Sequence, residues 1–136
     1  MTLFYHERTQ AALYCPTGCD AKTIRGLIEG CPPFYPVRSY LLIRDPVDRL
    51  KTLYYRANTP ISFKWWFKAY IPEPQLVTLP NPDETIRYEY FERDLNSVGI
   101  RATIDKNSPP EVDICMTTMA NIRRVYYNDF IAGDYL

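Results

Sequence analysis

The chain has 136 residues, 46% of them hydrophobic and 24% charged, which suits one globular domain spanning residues 1–136 and excludes intrinsic disorder. Sixteen Lys and Arg balance sixteen Asp and Glu, so a broad nucleic-acid or anionic-membrane footprint is excluded and only a local basic pocket is allowed. No apolar run approaches the length of a membrane span, and the N-terminal stretch with Glu7 and Arg8 lacks a signal-peptide core.

The first predicted element is a small apolar strand, Ala11–Cys15. Residues 16–23 (Pro16, Thr17, Gly18, Cys19, Asp20, Ala21, Lys22, Thr23) then read as a turn, and a helix is expected from Ile24, with Ile24, Leu27 and Ile28 inward. Strand, Gly-containing loop, Lys-Thr and helix is the layout of a phosphate-binding loop, in which backbone amides and a helix N-terminus surround the anion. As a Walker A motif it is degenerate, because Pro16 and Ala21 stand where glycines belong. An ordinary β–α turn with a solvated Lys is the plainer alternative.

Tyr40 to Ile43 form a buried strand of the kind that fills a parallel sheet. Pro46 suits the first turn of a helix, and Asp45 before it can cap the free amides. Leu50, Leu53 and Tyr54 share one helical stripe, while Arg49 and Thr52 lie one turn apart on another part of the surface. Arg44 leaves the carboxyl end of the strand, where ligands bind in open α/β sheets. An Arg and a hydroxyl converging there make a site for a phosphate-like anion. The competing reading is a surface ion-pair network of Arg44, Asp45 and Arg49.

Residues 61–70 are aromatic and predicted helical, with too many apolar positions for one face; core packing is the default and acceptor contact the alternative. Prolines at 32, 33, 36, 72, 74, 80 and 82 mark irregular connections. Residues 76–79 are expected as a strand, 85–90 alternate like a strand, 91–100 read as a helix closed by Gly99, and a further helix is expected from Ile122. Apolar strands followed by helical patterns predict an α/β fold with a mainly parallel sheet flanked by helices, in which Leu13, Leu42 and Val77 are central and buried. Cys15, Cys19, Cys31 and the lone His6 lack the paired spacing of a zinc site, so free thiols and no metal are expected.

The pattern Arg44-Asp45-Pro46-x-x-Arg49-x-x-Thr52-x-Tyr54 resembles the 3′-phosphate-binding signature R-D-P-x-x-R-x-x-S-x-Y of sulfotransferases that use 3′-phosphoadenosine 5′-phosphosulfate (PAPS). Thr52 stands in the Ser position and keeps the hydroxyl. The loop at 16–23 is similar to the family's P-K-x-G-[ST]-[ST] loop through Pro16 and Gly18, but Thr17 replaces its Lys and the loop is one residue longer. Pro74-Gln75 resembles the family's Pro-Gln connection, with Pro72-Glu73 where a His-Trp pair is frequent. Asp94-Leu95 before Gly99, and Tyr127, Asp129-Phe130 and Tyr135 near the end, follow the order of the carbohydrate-type members. Only residues 29–38 separate the first predicted helix from the Arg-Asp-Pro strand, where relatives insert a strand, a helix and a His base; His6 cannot match it.

The resemblance implies a shortened P-loop-type three-layer domain that moves a sulfuryl group from PAPS to a hydroxyl or amine of a small-molecule or carbohydrate acceptor. It implies that Thr17, Gly18, Cys19, Asp20, Ala21, Lys22 and Thr23 surround the 5′-phosphosulfate, while Arg44 and Thr52 hold the 3′-phosphate. Lys22 is the candidate replacement for the missing loop Lys, Glu73 the candidate base and Asp20 a second one. Golgi-resident relatives carry an N-terminal membrane anchor; with none here, a cytoplasmic location is expected. A nucleotide-binding or interaction module without catalysis is the alternative, and a small ATP-dependent kinase is a third reading, weakened by the absent glycines and Walker B carboxylate.

Overall fold

In a computed structural model describing residues 1–21 and 23–136, the chain begins with an antiparallel hairpin of β1 (Thr2–His6) and β2 (Ala11–Cys15), with Phe4 opposite Leu13. The turn closes through the Gln10 amide, which donates to the Glu7 carbonyl at 3.1 Å. β1 is an element that the sequence reading missed. β5 (Arg38–Ile43) lies parallel to β2, Leu13 opposite Tyr40, and β6 (Glu84–Arg87) lies parallel to β5, Leu42 opposite Ile86. With the short β4 (Ile28–Glu29) on the far side of β1, the five-stranded sheet has the order β4-β1-β2-β5-β6. It is therefore mixed: parallel through β2, β5 and β6, antiparallel at β1 and β4.

The helix expected from Ile24 does not form. β3 (Ile24–Arg25) instead pairs with β7 (Thr103–Ile104), and the chain turns at Gly26 (φ +98°) into β4. Two glycines and β-branched residues at Thr23, Ile24 and Ile28 weaken a helix here, and strand pairing decides the outcome. Val77 is likewise not a strand residue. It ends a 3-10 turn, Gln75–Val77, and is exposed.

α1 (Pro46–Ala57) begins as its residues dictate, with the Asp45 carboxylate accepting from the Val47 amide at 2.8 Å and Pro46 in the first turn. α2 (Phe63–Tyr70) carries the aromatic run. A second 3-10 turn, Tyr88–Tyr90, leads into α3 (Phe91–Ser97), and α4 (Met116–Val125) and α5 (Tyr127–Ala132) close the chain.

Both faces of the sheet are covered. Leu13, Tyr40, Leu42 and Ile86 pack with Phe91, Leu95 and Ile104 in one core. Strand alternation turns Leu41 and Ile43 to the opposite face, where both are fully buried. A second core unites Leu50, Phe63, Trp66, Phe67, Ile122 and Phe130 from the other four helices with Tyr126 at the junction of α4 and α5. Among the described residues no helix is long and apolar enough to cross a membrane, and no three His, Cys, Asp or Glu side chains converge as metal ligands. Cys15 and Cys19 are buried free thiols; Cys31 and Cys115 are exposed ones.

Candidate anion site and adjoining cleft

The hydrogen-bonded ladder of β5 ends at Ile43, and the Gln75 side chain takes over from there. Its Oε1 accepts from the Arg44 amide and its Nε2 donates to the Arg44 carbonyl, both at 2.8 Å. Gln75 is itself held by Asp129, whose carboxylate accepts from the Gln75 amide at 2.7 Å and the Leu76 amide at 3.1 Å. Burial raises the Asp129 carboxyl above its ordinary value, against the lowering effect of those amides. Backbone pairing on both sides of Arg44 turns its side chain inward.

Arg44 is buried, and its guanidinium lies over the Tyr88 ring, 4.5 Å from its centre. Nη1 donates to Thr52 Oγ1 at 3.0 Å and to the Gly18 carbonyl at 3.3 Å; Nη2 donates to the Asn107 carbonyl at 3.0 Å. The buried Nε has no partner among the described residues. Asp20 Oδ2 stands 3.7 Å from Nη1, and Arg56 from the last turn of α1 pairs with the other Asp20 oxygen. Arg56 follows Thr52 by four residues, so both occupy one face of α1. The sequence reading placed Arg44 and Thr52 here and missed Arg56 and Gln75. The Thr52-to-Arg56 spacing is readable from the sequence, whereas the Pro74-Gln75 resemblance marks a connection and does not point to the bonds that Gln75 makes to Arg44.

The loop after β2 differs from its expected form. Gly18 has φ +92°, and a Cβ there would stand 2.9 Å from Leu53 Cγ, so glycine lets the loop lie directly on α1. The Gly18 carbonyl accepts from Arg44, and the Thr17 carbonyl accepts from Arg49 Nε at 2.8 Å. These carbonyls face the guanidinium groups, and among the described residues no helix N-terminus follows the loop. Ala21 is in the core, and the exposed Thr23 accepts from the Asp105 amide through its carbonyl at 3.2 Å. Cys19 is fully buried with its thiol donating to Gln75 Oε1 at 3.2 Å; burial pushes that thiol up to about 12, although Arg49 and Arg44 pull it down. Lys22 lies outside the described residues.

Neither family models nor curated proteins nor solved structures match the chain.

Beside the loop a cleft of about 810 Å³ is lined by Thr17, Arg49, Trp66, Tyr70, Glu73 and Thr78, among others. Arg49 forms its buried wall and bridges its two sides, donating to the Thr17 carbonyl and, through Nη1, to the Glu73 carbonyl at 2.8 Å. Glu73, exposed between Pro72 and Pro74, therefore shares a cleft with the loop, and the Tyr126 hydroxyl fixes that segment by donating to the Pro72 carbonyl at 2.5 Å. Asp20 is engaged by two arginines, so its carboxylate oxygens are already committed to ion pairs. A guanidinium and a hydroxyl within one hydrogen bond of each other, with a second guanidinium nearby, suit a phosphate or another oxyanion.

Proposed function

We propose that the chain is a shortened, single-domain member of the PAPS-dependent sulfotransferases, of P-loop type, which moves a sulfuryl group from PAPS to a hydroxyl or amine. The observation that carries this reading is the 3.0 Å bond between Arg44 Nη1 and Thr52 Oγ1 at the carboxyl end of a parallel strand. In this reading the pair holds the 3′-phosphate, and the loop at 17–23 receives the 5′-phosphosulfate. The acceptor atom, entering from the cleft, attacks sulfur in line. A new bond to sulfur forms, the bond from sulfur to the bridging phosphate oxygen breaks, and 3′-phosphoadenosine 5′-phosphate leaves. The acceptor proton passes to Glu73, the carboxylate that shares the cleft with Thr17.

Lys22 is assigned to the bridging oxygen, which gains charge as that bond breaks. Lys22→Ala should therefore lower transfer of labelled sulfate to an acceptor panel by roughly a hundredfold, with a much smaller loss of nucleotide affinity. Equal losses in rate and affinity would reduce Lys22 to an anchor. A second reading, a nucleotide-binding module without catalysis, is favoured by the loop carbonyls facing Arg44 and Arg49 and by β3 standing where a helix N-terminus was expected. Wild-type protein that binds the nucleotide and transfers sulfate to no acceptor would establish it.

A further inference from the structure

Among the described residues, Asp20 supplies the one carboxylate within ion-pair distance of the Arg44 guanidinium, whose Nη1 also donates to Thr52. The Asp20 backbone is in the left-handed region (φ +51°), and the side chain lies between Arg44 and Arg56. The Arg44 side chain is 2% exposed, against 13% for Asp20 and 38% for Arg56. A ligand coming from solvent thus meets Arg56 and Asp20 before it reaches Arg44. The carboxylate is also an incomplete partner: it is 3.7 Å from Nη1, and Nε of the same guanidinium remains unpaired among the described residues. A phosphate monoester brings more charge and more acceptor oxygens than a carboxylate.

We propose that Asp20 is an exchangeable internal occupant of the anion site, and that a ligand phosphate displaces it and is held jointly by Arg44, Thr52 and Arg56. Assigning that phosphate to the 3′ position of the nucleotide rests on the sulfotransferase reading; the exchange itself does not. Arg56 becomes the entry residue of the site, passing from the Asp20 carboxylate to the phosphate. Asp20 sets the affinity, because only the open fraction of the protein can bind.

The test is calorimetric titration of wild type, Asp20→Asn and Arg56→Gln with two probes, inorganic phosphate and 3′-phosphoadenosine 5′-phosphate. Asp20→Asn should tighten both by about tenfold, as expected if the open form is about one tenth of the population. Arg56→Gln should weaken both by about tenfold, the loss of one charge-assisted contact. Unchanged or weaker phosphate binding by a folded Asp20→Asn protein, or no phosphate binding by any variant, would overturn the exchange. If Asp20→Asn does not fold, nuclear magnetic resonance on the wild type decides. The Nε–H signals of Arg44 and Arg56 must both move as phosphate saturates the site, and a stationary Arg56 signal overturns the proposal. Phosphate binding that tightens in Asp20→Asn while no variant binds the nucleotide would end the nucleotide reading and leave the exchange standing. Nucleotide binding indifferent to Asp20 and Arg56 would do the reverse.

Discussion

Gln75 joins three parts of the site: its side chain bonds both backbone groups of Arg44 and accepts from the Cys19 thiol of the loop, and its backbone amide donates to Asp129 of α5. Its replacement by alanine leaves the Arg44 amide and carbonyl buried without those partners. Gln75→Ala should lower stability by about 2–4 kcal/mol, the scale for two unsatisfied buried groups, and urea denaturation would measure it. A loss within experimental error would mean that other groups satisfy Arg44. Arg44 and Thr52 could be singled out from the sequence because Pro46 sets the start of a helix and helical spacing does the rest. The role of Gln75, noted only within the Pro-Gln connection, could not, since its partners come from residues 19, 44 and 129, which only the tertiary fold brings together.

At the scale of elements, β5 and α1 follow from local chemistry: an apolar run, a capping Asp45 and Pro46 in the first turn. The aromatic helix α2 and the helix before Gly99 were legible for the same reason. The segment after the loop was not, because Ile24, Leu27 and Ile28 satisfy a helical stripe as well as two short strands. Gly26 separates the two possibilities. A Cβ on Gly26 would meet the Arg101 carbonyl at 2.4 Å, and φ is +98°. Gly26→Ala should destabilise the protein by about 1–3 kcal/mol, whereas in a helix it would stabilise by about 1 kcal/mol. Thermal denaturation reads the sign directly. Val77 failed as a strand residue because the turn at Gln75 is held by Asp129, which removes residues 75–77 from any ladder.

For the whole molecule, two cores, one built on the sheet and one among the helices, enclose groups that resist ionisation. Burial pushes the Cys19 thiol from an ordinary value of 9.0 up to about 12, and the Tyr126 hydroxyl from 10.0 up to about 12. In both cases the unfolded chain loses its proton first, so stability is complete at neutral pH and falls as pH rises above about 9. Urea midpoints should decline between about pH 9 and pH 11, and Cys19→Ala should flatten part of that slope. A midpoint constant across this range would contradict the buried placement of both groups. The placement of Arg44 at the strand end, with Thr52 one hydrogen bond away, remains the basis of the functional account. Its most direct test is calorimetric titration with 3′-phosphoadenosine 5′-phosphate, with adenosine 5′-phosphate as the control. Wild type should bind the former and prefer it, and Arg44→Ala should weaken it by about 2–4 kcal/mol and erase the preference, as when a charge pair loses one partner. Arg44→Lys, which keeps the charge but not the planar fork, serves if the alanine variant does not fold. Nucleotide binding unchanged by loss of Arg44 in a folded protein, or no preference for the 3′-phosphate in wild type, would contradict the account.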